Sequence, residues 1–350
     1  MHTVSSILRT AAGIAVASLI AQPLAGCSGA TQALPGAAPL AAGASAHLEV
    51  PAAVNAMGSA AQPDKKKKQK TLLYVSDNEN NRILVFKVGK TQNPPPIRTI
   101  TSGISLPNGI ATDKSGDLYV ANYYTNSVTV YAPNSSTPKT KLTTGLNGPW
   151  DVKVDGFGNV YVANNPLYGA TNYIVEYNAG SSSPSTSWSV PSQGMEISGI
   201  AILNPNQQGY QSIYALAYTL NGSGFASGVA LSCYPGNSQC VSIGDPFGKT
   251  GGIEVAQSPG GSKTFQWIAV DQYIPGIDIF TQGQSTKTFA TGGTPEFLTL
   301  NAAGNDLFIA DLFSGLVTEY TYPGLTKVNT FSGKGGQIYG VATTPSGTLH

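Results

Sequence analysis

The chain has 350 residues, a formal net charge of +1 and only 11% charged residues. That balance excludes bulk electrostatic capture of nucleic acid, which needs a basic surface able to neutralise many phosphates. With 41 Gly, 23 Pro and abundant Ser, Thr and Asn, the composition is that of an all-β chain with many turns, not of a helical enzyme.

The first predicted element is an export signal. Arg9 supplies a weak positive n-region, and the apolar stretch from Ala11 to Ala21 suits an h-region but is too short to span a bilayer. Leu24-Ala25-Gly26-Cys27 follows and resembles the lipobox of bacterial lipoproteins, in which the signal is cut before the Cys and that Cys is lipidated. The resemblance implies a signal peptide at 1–26 and acyl chains such as palmitate on Cys27. Each buried CH₂ of such a chain contributes about 0.8 kcal/mol to membrane binding. The expected location is the bacterial cell envelope, on the extracytoplasmic side of a membrane. Ser28 after the Cys, rather than Asp, implies the outer membrane if the host is Gram-negative. Residues 28–64 are rich in Ala, Gly and Pro and poor in large apolar side chains. With Lys65–Lys68 they make 27–69 a flexible tether. The lysines read as a solvated linker end, with anionic headgroups as the other reading.

A lipidated Cys27 leaves Cys233 and Cys240 as a pair. The segment "CYPGNSQC" carries a Pro-Gly-Asn turn between them, and export favours oxidation, so a disulfide is predicted.

From residue 70 onward one unit recurs. Strand A often reads Pro-x-Gly-Ile/Val-Ala, and strand B reads Leu/Val-Tyr-Val-Ala-Asn/Asp. Strand C reads Val-x-Val-Tyr, and a Thr-rich strand D ends at Gly. The residues closing the B strands are Asp77, Asn122, Asn164, Ala217, Asp271 and Asp311, spaced by 45, 42, 53, 54 and 40 residues. Four short strands per period of this length predict the blades of a six-bladed β-propeller. The first unit lacks strand A and the last has only strand A. Strand 338–344 is therefore expected beside 72–76, so that a C-terminal strand A joins N-terminal strands B, C and D and closes the ring. The corner residues are read as structural: Asx side chains that bond the backbone two residues on.

"GIATDKSGDLYVANYYTNSVTVY" and "DVKVDGFGNVYVANNPLYGATNYIVEY" resemble NHL-repeat propellers. The resemblance implies one propeller over 70–350. The units at 197–244 and 251–292 depart from the motif, with Ala217 and Gln257 at corner positions and long A–B turns, so those blades are expected to be tilted or functionally distinct.

The three histidines are His2, His47 and His350, so none lies in the body of the repeat. This excludes a Ser-His-Asp site, a His-bearing zinc site and a His general base there. No catalytic residue is assigned. If strands alternate in direction, D–A and B–C loops share one rim. Asn108, Trp150, Asp151, Glu196, Glu296 and Tyr339 belong to the strand A entrances on that rim. Tyr123, Tyr124, Tyr168, Tyr218 and Tyr273 lie just past the B strands. The rim aromatics Tyr123, Tyr124, Trp150, Tyr168, Tyr218 and Tyr273 suit a protein or glycan ligand, because Tyr and Trp supply contact area at small entropic cost. The expected role is that of a monomeric, envelope-anchored binding protein without a cofactor. Two alternatives stay open. One is a Ca²⁺-dependent, gluconolactonase-like hydrolase using Asn108, Glu196 and Glu296. The other is a purely structural envelope component.

Overall fold

Alternation of apolar and polar residues along short runs, punctuated by Gly and Asn, dictates β-strands with two usable faces. The computed structural model describes residues 71–344, apart from 167–170, 192–193, 204–211, 221–225, 258–264, 273–274 and 282–283. All regular structure among them is β. The predicted signal, Cys27 and the tether lie outside the described residues.

The strands form six antiparallel four-stranded sheets in the order A-B-C-D. The inner A strands are Ile338–Thr344, Pro107–Thr112, Pro149–Val154, Met195–Leu203, Thr250–Gln257 and Pro295–Leu300, for blades one to six. Blade one is composite, as expected. Strand Ile338–Thr344 pairs with Leu72–Asp77, Leu72 opposite Thr344 and Asp77 opposite Ile338. Residues from both ends of the described propeller therefore meet on one face. The B–C and D–A loops occupy the other.

A lone four-stranded sheet exposes two apolar faces, and radial packing buries both. Six apolar clusters result, each shared by two neighbouring blades. Leu118, Val120 and Ile110 of blade two meet Tyr74, Val85 and Ile100 of blade one. Phe308 and Val317 of blade six meet Leu73, Phe86 and Ile338 of blade one. Every blade is half of two cores, so the ring has no unpacked end.

Blades four and five carry longer strands than blade two. Their first strands have 9 and 8 residues against 6, but both keep the four-stranded pattern. To their atypical corner residues these blades thus add longer strands. The predicted disulfide joins Cys233 to Cys240, with Cα atoms 4.3 Å apart, at the C–D corner of blade four. The corner also bonds blade three: Ser189 N donates to Ser238 O at 3.0 Å, and Cys240 N donates to Ser189 O at 2.9 Å.

The corner residues are structural: Asp77 and Asp311 accept from the backbone three residues on rather than two, from Asn80 N at 3.3 Å and Ser314 N at 2.8 Å, and a second, longer-range bond recurs. Asn122 Oδ1 accepts from Ser105 N at 2.9 Å, Asn164 Oδ1 from Asn147 N at 2.9 Å, and Asp311 Oδ2 from Thr294 N at 2.7 Å. In each case the donor lies 17 residues earlier, in the loop that delivers strand A. The corner pins its own blade's entrance because strands A and B end side by side there, closer than the residues ahead.

Candidate functional site

Each A strand carries the same irregularity near its start, after three paired residues in blade four. The A–B register slips between Pro107 and Ile110, Pro149 and Asp151, Ile197 and Gly199, Thr250 and Ile253, and Pro295 and Leu298. In blade one it slips where Ile338 and Val341 face Asp77 and Val75. A bulge re-aims the side chains beside it. Aligning the six bulges puts Asn108, Trp150, Ser198, Gly251, Glu296 and Tyr339 at one position around the mouth of the central channel. Of these, Ser198 and Gly251 were not singled out from the sequence. Glu196 lies two residues before its blade's equivalent.

Residues just past the B corners form a second ring that braces the first. Asn78 Nδ2 donates to Pro107 O at 3.3 Å and to Asn108 Oδ1 at 2.8 Å in the next blade. Tyr123 meets Trp150 edge to face, ring centroids 5.8 Å apart. Asn165 exchanges two bonds with the backbone of Ile197, at 2.7 and 3.0 Å. Gln272 Nε2 donates to Pro295 O at 3.3 Å and also bonds Glu296 Oε2. Corner-plus-one of one blade thus grips the entrance of the next.

The mouth has two characters. On one side Trp150 stands edge to face with both Tyr123 and Tyr339, the second pair at 5.9 Å. The Trp150 Nε1 donor is buried without a partner. On the other side Tyr218 donates to Glu196 Oε2 at 2.7 Å and lies within electrostatic range of Glu296 and Tyr339. The Lys249 ammonium stands 5.7 Å from the centre of the Tyr218 ring. Burial pushes the Glu296 carboxyl up to about 7, against the opposing pull of Lys249 and the Gln272 bond. Burial, with a smaller push from Glu296, takes the Tyr339 hydroxyl up to about 12. Burial and the bond to Glu196 raise Tyr218 as well, so both phenols stay protonated donors at neutral pH.

Below the mouth the channel is shut. A Cβ on Gly109 would stand 2.2 Å from Asp151 Oδ1, so glycine is required there. Asp151 is 1% exposed, and its Oδ2 accepts from Ile200 N at 3.0 Å across the blade boundary. Burial raises its carboxyl to about 6 even with Lys153 close by. One residue pair deeper, Lys153 Nζ faces Glu254 Oε2 at 3.7 Å, both side chains nearly dry. Thr299, Ala111 and Ala342 close the small void beside this pair. A ligand at the mouth therefore finds a shallow cup with a floor, not an open pore.

Of the residues nominated from the sequence, Tyr123, Trp150, Tyr218, Glu196, Glu296 and Tyr339 lie around this cup. Tyr124 is 75% exposed on the rim of blade two, and Phe313, which sequence reasoning missed, is 71% exposed at the equivalent corner of blade six. Asn108 is 2% exposed and held by Asn78, so its side chain braces the wall. Tyr168 and Tyr273 lie outside the described residues. No group of three or more His, Cys, Asp or Glu among the described residues is placed to hold a metal ion. Lys249 and Gln272 were also missed. Gln272 was legible as the residue following corner Asp271, whereas Lys249 precedes its strand at no repeat position.

Comparison with known proteins agrees with this architecture. The NHL repeat family matches residues 105–131, the A–B–C unit of blade two. No curated protein matches the chain. Among solved structures the chain is similar to one in "Crystal structure of Nidogen/Laminin Complex", at 13% identity and a TM-score of 0.55. That match covers 80% of this chain and 98% of the other. It is also similar to a functionally unknown protein from Desulfotomaculum acetoxidans DSM 771, at 15% identity and a TM-score of 0.53, covering 79% and 99%. At such identities the likeness concerns fold alone. The chain carries an NHL repeat in blade two of a six-bladed β-propeller.

Proposed function

We propose that the propeller is a binding platform, held at the bacterial envelope through Cys27, whose rim takes a protein or carbohydrate ligand. The observation that carries this reading is the continuous cup of Trp150, Tyr339 and Glu296 on the bulged A strands of three blades, with Tyr123 and Tyr218 from the B-strand ends of two more. Aromatic side chains gathered at a concave mouth, over a closed floor, suit recognition more than turnover. The nidogen structure named above, solved with laminin, comes from a protein that binds another protein, and it shares this architecture.

The test is capture from an envelope extract and on a glycan array, with the full chain as bait. Trp150→Ala and Tyr123→Ala should each remove the captured ligand while keeping the melting temperature within a few degrees. Capture undiminished in both variants would show that the rim is not the binding surface. A calcium titration by calorimetry addresses the hydrolase alternative: heat together with stabilisation would favour it over the platform.

A further inference from the structure

Resting on the platform reading, we propose that the cup receives a cationic side chain, a lysine or arginine presented by a basic segment of a partner protein. Glu296 and Glu196 would act as counter-charges, and Tyr218, Tyr339 and Trp150 as walls.

Three observations converge. First, two carboxylates and three aromatic rings meet at the mouth, and a desolvated cation gains from both kinds of group. Second, the chain already places an ammonium of its own there. Lys249 Nζ stands over the Tyr218 ring and acts electrostatically on Glu296. This intramolecular cation shows that the geometry accepts one, and Lys249, on an exposed residue, can be displaced by a better-held rival. Third, below the mouth the Lys153–Glu254 pair crosses the channel between blades three and five, so the cup has a floor. Exposed Tyr124 and Phe313 on the same rim offer contact to the protein surface that carries it.

Charge supports the assignment. The groups facing Glu296 are Lys249 before strand Thr250–Gln257, Gln272 after strand Phe265–Asp271, Tyr218 and Tyr339, with Glu196 behind Tyr218. Burial holds Glu296 largely protonated below neutrality, so the cup should bind a cation better as pH rises from 6 to about 8.

The test is fluorescence anisotropy of a labelled hexalysine peptide with the full chain, hexaglutamate serving as control. Glu296→Gln should weaken binding roughly tenfold, and Lys249→Ala should tighten it several-fold by removing the internal competitor. The affinity of the parent protein should increase with pH over the stated range. Absence of hexalysine binding overturns the proposal, and so does binding that neither variant changes, since that would be diffuse surface charge. Should Glu296→Gln melt early, the Lys249→Ala arm decides alone, because an exposed lysine carries little stability. A ligand captured through Trp150 and Tyr123 by a protein that ignores hexalysine would leave the platform reading standing and remove this one.

Discussion

Glu319 shows how one missing oxygen is felt at the scale of a residue. In blade three, Tyr161 sits opposite Glu176 and its hydroxyl donates to Glu176 Oε1 at 3.1 Å. In blade six the same cross-strand position pairs Phe308 with Glu319, and Phe has no hydroxyl to give. Glu319 is 4% exposed, its Oε2 has no partner, and burial raises its carboxyl to about 7. Phe308→Tyr should restore the donor and stabilise the protein by about 1 kcal/mol, seen as a higher melting temperature. An unchanged or lower melting temperature would mean that the core shared with Phe331 rejects the added oxygen. At the corners, Asn122 is buried, accepts from Ser105 N and donates to Thr129 Oγ1 at 2.9 Å. Asn122→Ala should therefore cost about 2 kcal/mol in denaturant unfolding. The sequence made these corners visible as a recurring Asx. It did not show the partner, because a bond to a residue 17 positions back depends on how strands A and B end together.

At the scale of the element, the C–D corner of blade four is a staple with two functions. The disulfide closes a short loop, and the loop's backbone bonds strand D of blade three. Replacing both Cys233 and Cys240 with Ser should lower stability by about 2–3 kcal/mol, the loop-closure entropy of a short ring. Hydrogen exchange should quicken at the backbone amides of positions 189 and 240 before the inner strands respond. Equal protection in the two proteins would separate the covalent link from the inter-blade bonds. Strand type and order were legible here because the A, B, C and D patterns are periodic. The bulge at each strand A was not, since a bulge adds a residue without altering composition. Aligning the bulges is what brings Trp150, Glu296 and Tyr339 to one level, and Glu196 off it.

At the scale of the molecule, closure and proton uptake are both collective. Removing residues 338–350 would strip blade one of its inner strand and open the cores on either side. The truncated chain should lose cooperative thermal unfolding by circular dichroism, and a sharp transition in it would show that six complete sheets are not needed. Three buried carboxyls, Asp151 near 6 and Glu296 and Glu319 near 7, hold protons more tightly when folded than when unfolded. Below the unfolded values near 4 both states are protonated and the stability is intact. As pH rises through 6 and 7 the unfolded state is already ionised while the folded state resists, so stability falls. Lowering pH from 7.5 to 5.5 should raise the melting temperature by roughly 5 °C. A melting temperature that declines over that interval would contradict these assignments.

The pairing of Leu72 with Thr344 also governs how the molecule can be mounted. Both lie at the end of the barrel axis away from the aromatic cup. A bead or a reporter joined at residue 71 is therefore attached on the face opposite the cup. Immobilisation through that side should leave hexalysine titration curves the same as those of the free protein, whereas linkage through Tyr124 or Phe313 should blunt them.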